Sequence, residues 1–230
     1  MRYAITGASR GLGLEFVRQL LHQGHSIDAG VRSPSDAREL QGLARESGGR
    51  LRVHALDVSR PESVAAFAAA LEKDAPLDVL INNAGVYGRD APLTGLDYED
   101  MAATFATNTL GPLRLTAALL PALRRGSVRR IVHISSMMGS IGENSTGGSY
   151  GYRISKAALN MAVRNLHVDL HGEGFVTIVL HPGWVQTDMG GPGAPLRPEQ
   201  SVRGMSAVID KLQASDSGRF LAFDGKELPW

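Results

Sequence analysis

Tyr152 and Lys156 stand four positions apart in the run GGSYGYRISK, which extends from Gly147 to Lys156. On a helix that spacing makes the two side chains neighbours on one face. A phenol beside an ammonium is a candidate acid–base pair. A free tyrosine titrates near about 10, and a positive charge roughly 4 Å away contributes on the order of 4 kcal/mol at an effective dielectric near 20. At about 1.36 kcal/mol per pH unit, that lowers the phenol by up to ~3. The spacing thus predicts a phenol poised near neutrality, where an acid–base catalyst works best. Tyr150 competes for the role. It lies six positions from Lys156, which turns it about 120° away. Glycines at 147, 148 and 151 are read as detaching it from the helix. Tyr152 is therefore selected, and Tyr150 becomes a candidate pocket wall.

A hydroxyl candidate precedes this run. RRIVHISS reads as a strand, and active-site groups collect at the carboxyl ends of strands in open α/β sheets. A serine there can donate to a carbonyl oxygen that gains negative charge. Ser135 and Ser136 compete, because successive strand residues point to opposite faces. At the N-terminus, TGASRGLG places Gly7, Gly11 and Gly13 between a strand and a helix. Glycine permits a tight turn and close backbone approach. The N-terminus of the helix that follows favours a pyrophosphate. The spacing is G-x-x-x-G-x-G, which departs from the G-x-G-x-x-G fingerprint. The seven histidines are scattered without metal-ligand spacing, so no metal site is expected.

These residues need elements to position them. Strand-like apolar runs alternate with helical patterns along the whole chain. Near-continuous apolar strands separated by helices predict a parallel sheet covered on both faces. The expected fold is a single-domain Rossmann-type, doubly wound α/β sheet of about seven strands, with helices on both faces. A helix is expected over Tyr152–His171. A longer one is expected over Tyr98–Arg125, kinked or broken at Gly111-Pro112. The glycine- and proline-rich stretch Gly190–Gln200 is expected to be the loosest. A substrate loop or lid around residues 188–200 and a plain surface loop both fit its composition.

The 230 residues carry a formal net charge of +1, with 43% hydrophobic and 20% charged residues, the balance of an ordinary globular protein. Nothing in it calls for nucleic acid or a membrane as partner. Absence of cysteine excludes disulfides, thiolate metal sites and a thiol nucleophile. The first strand runs straight into a glycine turn, leaving no room for a signal peptide. No apolar stretch approaches the length of a membrane span. A cytoplasmic protein is expected.

Taken in order, TGASRGLG, NNAG (Asn82–Gly85), Asn108, ISS (Ile134–Ser136), YRISK (Tyr152–Lys156) and HPGWVQTDM (His181–Met189) resemble the short-chain dehydrogenases/reductases. The resemblance covers essentially the whole chain. SSMMGSIGENSTGGSYGYRISKAALN and the ending GRFLAFDGKELPW are similar to the sniffer- and C-factor-like carbonyl reductases of that family. The resemblance implies a catalytic set of Asn108, Ser136, Tyr152 and Lys156. The family's reacting serine precedes x-x-Gly, which selects Ser136. From Ser136 to Tyr152 is 16 positions, longer than the commonest pattern, and GENSTGGS is expected to bulge out as a loop. Asn108 is implied to hold a water on a main-chain carbonyl freed by a kink, relaying protons from Lys156.

The resemblance also implies a nicotinamide dinucleotide. Its site would run along Gly7, Ser9, Arg10, Gly11, Leu12 and Gly13, past Arg32, Asp57 and Val58, and over Asn83, Ala84 and Gly85. It would end among Tyr152, Lys156, Pro182, Gly183, Val185 and Thr187. A carboxylate selective for NAD would fall at about Val31, an uncharged position here. Arg10 and Arg32 suit the 2′-phosphate of NADP(H). Asp28 keeps NAD(H) open as the alternative. Met137, Met138, Tyr150, Trp184 and Met189 are expected to wall the substrate site, and their apolar character suggests a lipophilic or aromatic carbonyl compound. The implied activity is reduction of a ketone or aldehyde to an alcohol. Its partners would be that small molecule and further copies of the chain, as a homodimer or homotetramer formed through helices at 111–125 and 153–171. An NAD-dependent alcohol dehydrogenase of the same fold and a non-catalytic, dinucleotide-binding signalling protein are the alternatives.

Overall fold

The computed structural model describes all 230 residues. Seven strands form one parallel sheet: β1 (Arg2–Thr6), β2 (Ser26–Val31), β3 (Leu51–Ala55), β4 (Val79–Asn82), β5 (Arg130–Ile134), β6 (Val176–His181) and β7 (Phe220–Ala222). Their spatial order is β3-β2-β1-β4-β5-β6-β7. The central strands are mostly apolar because both faces are covered, whereas the edge strand β3, LRVHA, is only partly buried. Tyr3, Ile5, Val79, Ile81, Val132, Ile178 and Leu180 enter one core with α1 (Gly11–His22), α2 (Arg38–Glu46) and α7 (Pro198–Lys211). Ala4, Leu80 and Ile131 point the other way, onto α3 (Pro61–Glu72) and α5 (Gly111–Arg124). Val179 and Phe220 meet α6 (Tyr150–Leu170) on that second face. The period-two alternation of the strands thus divides one sheet between two cores.

The chain winds outward from β1 to β3, then returns to start β4 beside β1. Strand order reverses there, and ligands in open α/β sheets bind at the carboxyl ends of strands at such a switch point. All the candidate chemistry lies on loops and helix starts at that edge.

Two helices differ from expectation. The long helix is α4 (Tyr98–Phe105), a π-turn over Ala106–Leu110, and α5. The break therefore lies before Gly111-Pro112, with Asn108 inside it. Pro112 sits in the first turn of α5, where a missing N–H costs little. Gly111 serves packing, since a Cβ there would stand 2.9 Å from Val58 Cγ2. Helix α6 begins at Tyr150, two residues early, so Tyr150 is not detached from it. Gly151 is no breaker here. It lets α6 seat against α4, where an added Cβ would stand 3.2 Å from Met101 Cγ. The turn into α6 is made by Ser149, a non-glycine residue in the left-handed region (φ 45°, ψ 45°).

The expected loop between Ser136 and Tyr152 is present, with residues 141–148 exposed. Arg153 ties it down through Gly147 O at 3.1 Å and Thr146 Oγ1 at 2.8 Å. Gly190–Gln200 is less loose than its composition suggests. Its last residues already belong to α7. The rest is pinned where Gln186 N donates to Leu196 O, Gln186 Nε2 to Ala194 O and Trp184 Nε1 to Gly190 O, each at 2.8 Å. No helix is long and apolar enough to cross a membrane.

Candidate active site

A cleft of about 750 Å³ runs along the carboxyl ends of the strands. One end is cationic and open. Arg10, Arg32 and Arg38 line it with Ser9, Gly7, Gly11 and Asp57, and all three arginines are exposed. Gly7 (φ +65°) makes the turn after β1, and a Cβ there would lie 2.9 Å from Ala84 Cα. Gly13 does not face the cleft. It lets α1 close on the strand ends, since its Cβ would stand 2.3 Å from Gly7 O. Helix α1 has no side-chain cap, which leaves first-turn amides free for an anion. Asp57 accepts from Ser59 N at 3.0 Å and Ser59 Oγ at 2.6 Å. Burial opposes its charge, but Ser59 and then Arg32 hold the carboxyl below its ordinary range.

Asp28 takes no part in this end. It is buried and paired with Arg2 at 2.8 Å, Arg52 at 2.9 Å and His54 at 2.8 Å. Three partners satisfy the carboxylate inside the sheet and leave it nothing for a ribose. The open glycine turn, the uncapped helix and three exposed guanidiniums form a fitting cradle for a phosphorylated dinucleotide.

The other end is buried and aromatic. Tyr152 is 8% exposed and Lys156 4%. Lys156 Nζ donates to Ile134 O at 2.9 Å and lies 5.7 Å from the Tyr152 ring centroid. Burial holds the ammonium down to about 8. It also pushes the Tyr152 phenol up to about 12, which the nearby Ser136 hydroxyl offsets in part and Tyr87 reinforces. The expected lowering of the phenol by Lys156 is thus absent. The ammonium is aimed at a carbonyl, and burial of the phenol outweighs any help from the charge.

Ser135 rather than Ser136 lines the cleft, but its Oγ is engaged, donating to Asn160 Oδ1 at 2.8 Å. Ser136 is half-buried, opens the short turn after β5 and accepts from Met138 N at 3.1 Å. Asn108 is fully buried. Its Oδ1 accepts from Val86 N at 2.8 Å, while Nδ2 donates to Val86 O at 2.8 Å and Ser155 Oγ at 3.0 Å. The side chain is a brace, and the π-turn that carries it widens the helix at that point.

A family model for short chain dehydrogenases matches residues 2–195. The chain belongs to the short-chain dehydrogenase family. It is 61% identical over 155 residues to the C-signal of Myxococcus xanthus, covering 67% of this chain and 93% of that protein. The crystal structure of an NADPH-bound carbonyl reductase from chicken fatty liver superposes with a TM-score of 0.95 at 38% identity, covering 100% of this chain and 98% of that one. The carbonyl reductase Sniffer of D. melanogaster gives 0.95 at 36% identity, covering 100% and 99%.

Within this short-chain dehydrogenase, most of the sequence-derived cofactor positions converge on the cleft: Gly7, Ser9, Arg10, Gly11, Leu12, Arg32, Asp57, Val58, Asn83, Ala84, Gly85, Pro182 and Thr187. Gly183 and Val185 do not line it. Val185 is buried and bridged to Leu196. Of the proposed substrate wall, only Met189 reaches the cleft. Met137 and Met138 lie half-buried in the turn after Ser136, and Trp184 is exposed with its indole bonded to Gly190. Tyr150 is half-buried on the first turn of α6 and does not line the cleft.

Three contributors escaped sequence reasoning. Arg38 joins the cationic end from the start of α2; its closeness in sequence to Arg32 was the available signal. His181, pushed down to about 4 by burial, accepts from Met137 N at 3.3 Å and steadies the turn carrying Ser136. Tyr87 stacks on Tyr152 with ring centroids 4.7 Å apart and planes at 29°, and no pattern in the sequence announces it.

Proposed function

We propose that this short-chain dehydrogenase is an NADP(H)-dependent carbonyl reductase acting on a lipophilic or aromatic ketone or aldehyde. The observation that carries the reading is the polarity of the cleft, with exposed guanidiniums at one end and a buried phenol and ammonium at the other. Arg10, Arg32 and Arg38 would hold the 2′-phosphate and its neighbours, while Gly7–Leu12 and the start of α1 take the pyrophosphate. Placement of Asp28 inside the sheet favours NADP(H) over NAD(H). Bound there, the cofactor supplies hydride to the carbonyl carbon.

The chain's own residues do the rest. A phenol at about 12 stays protonated through the neutral range and can donate its proton to the developing alkoxide. Ser136 donates to the same oxygen and steadies its charge. Lys156 binds the nicotinamide ribose and keeps a cation near the reacting pair. Asn108 sets the π-turn, whose main-chain carbonyl is assigned to hold the water that resupplies the proton. The loop around residues 188–200 is assigned to cover the substrate. Ile154, Met161 and Val168, exposed at seven-residue intervals on α6, support a homodimer or homotetramer through α5 and α6.

The test is to follow NADPH and NADH absorbance against a panel of ketones, aldehydes and quinones. The proposal expects NADPH to be consumed in preference to NADH with at least one apolar carbonyl compound. Consumption of neither cofactor would refute it. The 61% identity to C-signal favours a second reading, a signalling protein that retains the fold. Under it, Tyr152→Phe leaves biological activity intact while any reductase activity disappears.

A further inference from the structure

The segment between β4 and α4 is held at every residue from Val86 to Asp90. Val86 is bonded in both directions to Asn108 at 2.8 Å. Gly88 (φ +75°) packs so closely that a Cβ would meet Thr104 Oγ1 at 2.5 Å. Arg89 N donates to Asp100 Oδ2 at 2.7 Å, and its guanidinium reaches Asp97 at 3.0 Å. Asp90 Oδ1 accepts from Ser149 N at 3.0 Å. Tyr87 completes the strap: its hydroxyl bonds Ser149 Oγ at 2.7 Å while its ring lies on Tyr152. The strap thus joins α4 and the π-turn to the left-handed cap of α6. A left-handed conformation at a non-glycine residue persists only where its surroundings hold it. Asp90 and Tyr87 supply that hold at Ser149, three residues from Tyr152.

We propose that Tyr87 is a positioning residue of this enzyme: the strap presses its ring onto Tyr152, fixes the direction of the phenol and shields it from water. The assignment rests on the reductase reading for its kinetic consequence. Tyr87 is the one aromatic ring stacked on Tyr152. Loss of the ring should leave NADPH binding intact, because the cationic end lies elsewhere.

The experiment compares wild type, Tyr87→Leu and Tyr87→Phe in steady-state NADPH-dependent reduction, with NADPH Kd measured by cofactor fluorescence. Tyr87→Leu is expected to lower kcat by about tenfold or more, the scale of effect that misplacing a reacting group produces. KM and NADPH Kd should change far less. Tyr87→Phe keeps the ring and should recover most of the loss. Turnover needs the protonated phenol, so it falls as pH rises through the phenol's pKa. In Tyr87→Leu that fall should come at lower pH, because the phenol is then less buried and has lost a neighbour that raised it. Unchanged kcat and pH profile in Tyr87→Leu would overturn the proposal, as would Tyr87→Phe no better than Tyr87→Leu. Absence of turnover in wild type would overturn the reductase reading instead. In that event, ¹⁹F NMR of 3-fluorotyrosine-labelled protein, assigned through Tyr152→Phe, still tests the strap. The Tyr152 resonance should titrate at lower pH in Tyr87→Leu, and coincident titrations would overturn it.

Discussion

At the β1–β3 end of the cleft, Arg10, Arg32 and Arg38 stand exposed. At the β4–β6 end, Tyr152, Lys156 and Asn108 are 8%, 4% and 0% exposed and each is held by packing or a hydrogen bond. The first arrangement suits a ligand that brings its own charge, since exposed guanidiniums keep their charge and need no partner until it arrives. The second suits chemistry, because burial shifts titration and excludes water. One fold supports both because the switch point brings loops from the outer strands and the start of α6 to the same edge. Substitutions at the two ends should therefore separate binding from turnover.

The largest effects belong to the buried end. Tyr152→Phe and Lys156→Met are each expected to lower kcat by about 10²–10⁴-fold, the range for loss of a positioned acid–base group. Next come the arginines. Arg32→Ala and Arg38→Ala should each weaken NADPH binding by about 1.5–3 kcal/mol, as for a lost hydrogen bond to a charged group, with NADH binding little altered. Equal loss for both cofactors in titrations would place these side chains away from the 2′-phosphate.

Burial of Lys156 has a stability signature of defined sign. Its folded value, about 8, lies below its ordinary 10.5. Between those values the unfolded chain binds more protons, so stability rises with pH there. Above 10.5 the lysine is neutral in both states and its burial no longer opposes folding. Denaturant unfolding of wild type and Lys156→Met at pH 7.5 and pH 10 checks this, at roughly the two ends of the window. Wild type should gain on the variant at the higher pH.

The smallest effect is at Asp188, which pairs with Arg10 at 3.0 Å across the mouth of the cleft, both side chains exposed. Such a pair is worth about 0.2–1 kcal/mol. Asp188→Asn frees Arg10 for phosphate and should tighten NADPH binding by no more than that, with the gain shrinking as salt is raised.

Legibility in the sequence differed between the same two ends. Alternating apolar runs and helical patterns were enough for the doubly wound sheet, since both faces of the central strands are buried. Tyr152 was legible over Tyr150 because helix geometry alone sets which phenol shares a face with Lys156, and that holds even though α6 starts at Tyr150. Arg32 was legible because it follows β2 directly. What stayed hidden depends on contacts distant in sequence. Asp28 looked free to read a ribose until Arg2, Arg52 and His54 closed on it from neighbouring strands. The phenol's titration was misjudged because a local charge can be counted along a helix, whereas burial by β5, Tyr87 and the turn after Ser136 cannot. Tyr87 itself reaches Tyr152 from 65 residues away, through a strap whose hold comes from α4.

The most direct test of the division between the two ends is Tyr152→Phe with both properties measured on one preparation. NADPH Kd should match wild type while hydride transfer to a ketone accepted by the wild type, followed in a single turnover, is lost. Retained hydride transfer in Tyr152→Phe would contradict the account at its centre.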